Sequence, residues 1–214
     1  MRYAYYLVTL ALLPSCGEPA EAADTNSAVQ TERPRSFDVA GVALGDSAED
    51  AEATLRQRGY DVQTTRRGWT VEDHVQKARA DSSHQPFRPT FGAVNRLVAL
   101  RQGERVDIEF RTSGSGSVAS SINYASPAAG RTGEQLAEEI RRRYENVGRP
   151  HGRRICALAE TKCRERAPRL NYLQVDLRDA LRISLYPGTE DYRRWDDALN
   201  ATIRERLGPT QSSF

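Results

Sequence analysis

The run from Arg96 to Tyr124 commits this chain to antiparallel strands. Three alternating stretches, RLVALR (Arg96 to Arg101), VDIEF (Val106 to Phe110) and VASSINY (Val118 to Tyr124), are separated by QGER and, after Arg111, by TSGSGS, both turn compositions. Parallel neighbours would need crossovers of a dozen or more residues, so connections this short imply a meander. In VDIEF the apolar Val106, Ile108 and Phe110 point one way and Asp107 and Glu109 the other. One face of the sheet therefore packs and the other is wet.

Helical periodicity flanks the meander on both sides. Ser47 to Arg58 opens with a capping serine and Asp50, lines Ala48, Ala51 and Leu55 along one face, and stops at Gly59. A weaker helical pattern runs from Thr70 to Ala80 with Val71, Val75 and Ala78 inward, and the polar DSSHQPFRP after it reads as a loop. Thr132 to Tyr144 has a Thr132/Gln135 capping box and an apolar row of Leu136, Ile140 and Tyr144. Two more alternating runs, Leu173 to Leu177 and Leu181 to Leu185, form a hairpin through Arg178-Asp179. The last helix, Thr189 to Leu207, carries Tyr192, Trp195, Leu199 and Ile203 on one side, ends at Gly208-Pro209 and is expected to cap the sheet.

The predicted class is α+β, with helices on an antiparallel meander and a C-terminal capping helix. Ser47 to Arg58 can be laid over Thr132 to Arg143 in cap, acidic start, apolar position and basic end. Such polarity also follows from the helix dipole alone. The boundaries are 37–127 for a first helix-plus-meander unit and 128–214 for a second helix-plus-hairpin unit, as one domain or two in tandem.

The N-terminus gives an address. Residues 1–15 hold Arg2 and then an apolar stretch from Ala4 to Leu13, about ten residues against the roughly 20 of a membrane span, which is the form of a secretory signal. Leu13-Pro14-Ser15-Cys16 resembles the lipobox of bacterial lipoproteins, with Pro14 a departure from the small residue preferred there. The resemblance implies lipid on Cys16, and Gly17 after it is compatible with export to the outer membrane. An alternative cleavage site, Ala20-Glu21-Ala22, would leave a soluble periplasmic protein. Residues 16–36 lack apolar periodicity and read as a flexible tether.

Composition, 38% hydrophobic and 28% charged, suits a soluble domain with an ordinary core. The 31 Lys and Arg nearly balance 29 Asp and Glu, which argues against a general polyanion binder, and export argues against nucleic acid. Past Cys16, the remaining cysteines, Cys156 and Cys163, read as a disulfide in an exported chain. With His151 they offer only three zinc ligands at irregular spacing, so no metal and no cofactor is expected. Gly114-Ser115-Gly116 reads as a hairpin turn rather than a nucleophile. Glu138-Glu139 and Asp196-Asp197 are adjacent on helices and diverge. His74 and His84 read as solvated or capping residues.

One charge cluster stands out. From Arg141 to Arg169 the chain carries ten basic residues against three acidic ones, around the expected disulfide. Arg149, Arg153, Arg154, Arg164 and Arg166 are the candidate contacts for an envelope protein, or for anionic lipid or lipopolysaccharide headgroups.

The segment Gly41 to Ala51 (GVALGDSAEDA), and more loosely Thr132 to Pro150, resembles the opening helix of small outer-membrane assembly lipoproteins of the SmpA/OmlA type, which share their fold with β-lactamase-inhibitor proteins. This chain lacks the proline-containing turn of that pattern, running on as Arg58-Gly59-Tyr60. The resemblance implies a non-enzymatic, lipid-anchored binding or assembly module facing the periplasm. The alternatives are an exported inhibitor of, or accessory to, an envelope hydrolase, and a purely structural lipoprotein.

Overall fold

The computed structural model describes residues 38–127, 150–151, 154–156, 171–176 and 180–209, with the single residues 132, 135, 138, 140, 142 and 169. All belong to one compact unit, Arg33–Phe214. The signal segment, Cys16, the tether, Arg149, Arg153, Cys163, Arg164 and Arg166 lie outside the described residues, as do the side chains of Arg154 and Cys156.

The fold is α+β. Strands β1 (Asp38–Val39) and β2 (Val42–Ala43) form a short hairpin. The main sheet comprises β3 (Asp61–Thr65), β4 (Arg96–Arg101), β5 (Glu104–Ser113), β6 (Gly116–Pro127), β7 (Pro150–His151), β8 (Arg154–Cys156), β9 (Tyr172–Asp176) and β10 (Ala180–Tyr186). Its eight strands run in the order β3-β4-β5-β6-β10-β9-β8-β7, each pair antiparallel. Two meanders of four strands thus meet along a β6–β10 seam. A helix precedes each, α1 (Ala48–Gln57) before β3 and the helical residues Gln135, Glu138, Ile140 and Arg142 before β7.

The helix ends form where the capping chemistry puts them. Ser47 Oγ accepts from Asp50 N–H at 3.1 Å, and Ala48, Ala51 and Leu55 are the buried face of α1. Thr132 and Gln135 make the reciprocal bonds of a capping box, at 2.8 and 3.3 Å. The helix α2 (Val71–Ser82) is capped by Thr70 and buries Val75, but its other buried residue is Asp73, while Val71 and Ala78 are partly exposed. Asp73 is 2% exposed and accepts four bonds. Its Oδ2 takes Thr70 N–H and Oγ1, both at 2.8 Å, and its Oδ1 takes Thr90 N–H at 2.7 Å and Oγ1 at 2.9 Å. A carboxylate satisfied on all sides can be buried where a bare one could not.

The register explains the two faces. Val62, Ala99, Val106, Tyr124, Ile183 and Val175 follow one another across paired strands, as do Leu97, Ile108, Ile122, Leu185 and Leu173. These side chains share the face that packs with α1, Val39, Val42 and Ile140 in one core. The opposite face carries Arg96, Arg105, Asp107, Gln174 and Arg182, of which Arg96 and Arg105 both donate to Asp107. A bulge at Glu109/Phe110 bends the far end of the β5–β6 ribbon. There α3 (Thr189–Leu207) packs on β5 and α2, with Trp195 in the common core. Tyr192 is 43% exposed and sits edge-on to Trp195, with Arg111 over its ring at 5.1 Å. Arg111 also pairs with Asp196.

Candidate functional site

A pocket of about 200 Å³ opens on the packed side of the sheet, where the end of α1 meets β1, the β4–β5 turn and β10. Its polar wall is Arg58, Tyr60, Arg101, Glu104 and Tyr124, and its apolar wall includes Val39, Ile140, Leu181 and Ile183. Sites for drug-sized ligands run to about 300–1,000 Å³, so this one accepts a single side chain or a small molecule.

The hairpin register creates the polar wall. Gln102 and Gly103, at φ 45° and 83°, turn the chain in two residues and put Arg101 opposite Glu104. Both central positions at positive φ match the twist of the flanking strands, and glycine adopts that conformation without a side-chain clash. Arg101 donates to Glu104 Oε2 from Nε at 3.1 Å and from Nη2 at 2.7 Å. Tyr60, set by the end of α1 just ahead of β3, donates its hydroxyl to the same oxygen at 2.7 Å. Tyr124 lines the same pocket, and its hydroxyl favours the ionised form of this carboxylate. Arg101 also lies 4.3 Å over the Tyr60 ring and donates from Nη1 to the Arg58 carbonyl at 2.7 Å.

These bonds decide the protonation states. Burial disfavours the Glu104 carboxylate, but the donors Tyr60, Arg101 and Tyr124 outweigh it and hold the carboxyl below its ordinary range. Burial, followed by the bond to Glu104, pushes the Tyr60 hydroxyl far up, and burial raises Tyr124 as well. Near neutral pH these shifts favour an ionised glutamate and protonated tyrosines.

Arg58 differs from its neighbours. It caps α1 and is exposed, and its guanidinium lies against Gly41, where a Cβ would sit 2.5 Å from Arg58 Cζ. It has no ion-pair partner among the described residues. Among the described residues, the pocket therefore presents one cation without an ion pair, beside an apolar wall.

Of the candidate contacts predicted from sequence, Arg149, Arg153, Arg164 and Arg166 lie outside the described residues, and only the backbone of Arg154 is described. Arg154 and Cys156 lie on β8, paired with Gln174 and Tyr172, and His151 lies on the outermost strand opposite Arg154. Of the described arginines of the Arg-rich segment, Arg154 is on β8, next to the last strand of the sheet, whereas Arg142 is helical and pairs with Glu138, and Arg169 pairs with Glu190 at the start of α3. His84 is exposed, in the turn after α2, whereas His74 is partly buried with its ring 5.1 Å from Trp69, and burial lowers its proton affinity. Gly114-Ser115 is the β5–β6 turn. No group of three His, Cys, Asp or Glu able to hold a metal occurs among the described residues, and no described helix is long and apolar enough to cross a membrane. The Tyr60–Arg101–Glu104 cluster escapes a reading that treats QGER only as a turn. The available signal was an Arg and a Glu at the two flanks of a two-residue turn, which must face each other across the hairpin.

No family model, curated protein or solved structure matches this chain.

Proposed function

We propose that this protein is a non-enzymatic binding module of the bacterial cell envelope, held by lipid on Cys16 at the outer membrane and facing the periplasm. The observation that carries the binding role is the state of the Glu104 pocket. Tyr60, Arg101 and Glu104 are spent on one another, and among the described residues Arg58 is left to meet an outside group. A pocket this small takes an anionic side chain or a small anion, so a partner must gain affinity from surrounding surface as well. Arg149, Arg153, Arg154, Arg164 and Arg166 are proposed as a second contact, supported by their local excess of positive charge and by Arg154 lying on β8, beside β7, the last strand of the sheet among the described residues. The address rests on the Leu13-to-Cys16 motif and the apolar segment before it.

Metabolic labelling with palmitate tests the anchor. Label on the wild type and none on Cys16→Ser is expected, and an unlabelled wild type removes the lipoprotein reading. In-cell crosslinking with mass spectrometry tests the binding role, using Arg58→Ala and a combined Arg149→Ala, Arg153→Ala, Arg154→Ala variant. A partner caught by the wild type and lost from either variant supports it, and identical capture by all three rules these contacts out.

A further inference from the structure

Two loops away from the pocket carry cations and aromatic rings together, and neither the core nor the pocket accounts for them. One, residues 66–70, follows β3, and the other, residues 83–95, follows α2. Their backbones are tied to each other. Gly68 and Ala93 exchange hydrogen bonds of 2.9 and 3.2 Å, and Arg67 N–H donates to Asn95 Oδ1 at 2.9 Å. The buried Asp73 carboxylate binds Thr70 of one loop and Thr90 of the other. A loop pair with this many backbone bonds is held in one arrangement.

That frame carries three aromatic residues, of which Phe91 is exposed. Trp69 meets Phe87 edge-on at 5.4 Å, and both are partly exposed. Phe91 is 47% exposed at φ 60°, a conformation that a bulky residue rarely adopts and that the surrounding bonds must impose. Arg66, Arg67 and Arg88 are exposed on the same two loops, with no ion-pair partner among the described residues. No acidic residue occurs from 62 to 71 or from 82 to 103. Arg96 and Arg101, on the adjoining strand, are instead paired with Asp107 and Glu104.

We infer that this loop pair is a peripheral membrane-binding surface for an anionic lipid bilayer, with the arginines at the headgroups and Phe91, Phe87 and Trp69 at the acyl boundary. Aromatic side chains favour that depth, and cationic ones are drawn to an anionic leaflet. Single-stranded nucleic acid fits less well, because stacking successive bases needs ring faces presented as a platform, whereas Trp69 and Phe87 meet edge-on at 70°. The inference depends neither on the pocket nor on lipid at Cys16.

The test uses residues 33–214, the compact unit that holds every described element and the buried core. This unit is titrated with vesicles of phosphatidylcholine alone and with phosphatidylglycerol added, at low and high salt. Binding is expected to the anionic vesicles and to weaken with salt. Combined Arg66→Gln, Arg67→Gln and Arg88→Gln substitutions should lower partitioning about 100-fold, at about five-fold per arginine. Phe91→Ser should lower it at both salt concentrations. Brominated acyl chains should quench Trp69 but not Trp195, which is 4% exposed, so the quenching disappears in Trp69→Phe. Equal binding to neutral and anionic vesicles, a triple variant that partitions like wild type, or an unquenched Trp69 would each overturn the inference. The substituted arginines and Phe91 are exposed, so an unchanged unfolding midpoint separates a lost surface from a lost fold.

Discussion

Asp73 is the residue on which the most local structure depends. Four donors hold its carboxyl at about 2, down from 3.8, against the opposing effect of burial. A carboxyl depressed on folding contributes stability that is fully present above about pH 4 and is lost as pH falls through about 2, here about 2 kcal/mol. Asp73→Asn turns an amide N–H toward groups that are themselves donors, and is expected to cost about 2–4 kcal/mol in chemical denaturation at pH 7. The acid limb of the stability–pH curve should flatten in the same variant. At the pocket, Tyr60→Phe removes one donor from Glu104 and keeps the ring beneath Arg101. The Glu104 carboxyl should then titrate higher, as read by carboxyl NMR, with a stability loss of about 0.5–3 kcal/mol. Sequence periodicity identified α2 but not its buried carboxylate. A helix pattern records which side chains are apolar, and the partner that makes Asp73 burial tolerable, Thr90, is seventeen positions away.

Among the elements, the β5–β6 ribbon and α3 depend on each other. A Cβ on Gly114 at the ribbon tip would lie 2.6 Å from the Ala198 carbonyl and 2.7 Å from Thr202 Oγ1. Gly114→Ala must displace helix backbone and is expected to cost about 1–3 kcal/mol. The comparison is Ser115→Ala at the exposed neighbouring position, which should leave the unfolding midpoint unchanged. The limits of α3, Thr189–Leu207, coincide with those expected from its period and its terminal glycine. Its environment was less apparent, since Tyr192 is on the predicted apolar side yet serves as a surface ring for Arg111. The strands β1, β2 and β3 passed without a sequence signal. Two-residue strands have no period to detect, and in DVQTT only Val62 is buried.

At the scale of the molecule, both meanders share one sheet and one core across the β6–β10 seam. Unfolding of residues 33–214 is therefore expected to be a single transition, with far-UV circular dichroism and tryptophan emission coincident. Leu185→Ala, at a fully buried seam position opposite Ile122, should cost about 2–5 kcal/mol and move both probes together. Two separate transitions would mean that the halves fold independently. The amino-acid sequence alone determined the class of fold, the capped helix starts, the central meander and its packed and wet faces. Each of these follows from chemistry within a few residues, such as a cap bond, a turn or a period. Only the tertiary structure decided that the two meanders join at β6 and β10, that Arg101, Tyr60 and Tyr124 converge on Glu104, and that Asp73 ties two loops together. Those contacts link positions far apart in the chain, and no local pattern encodes which distant strand, hydroxyl or amide will arrive to complete them.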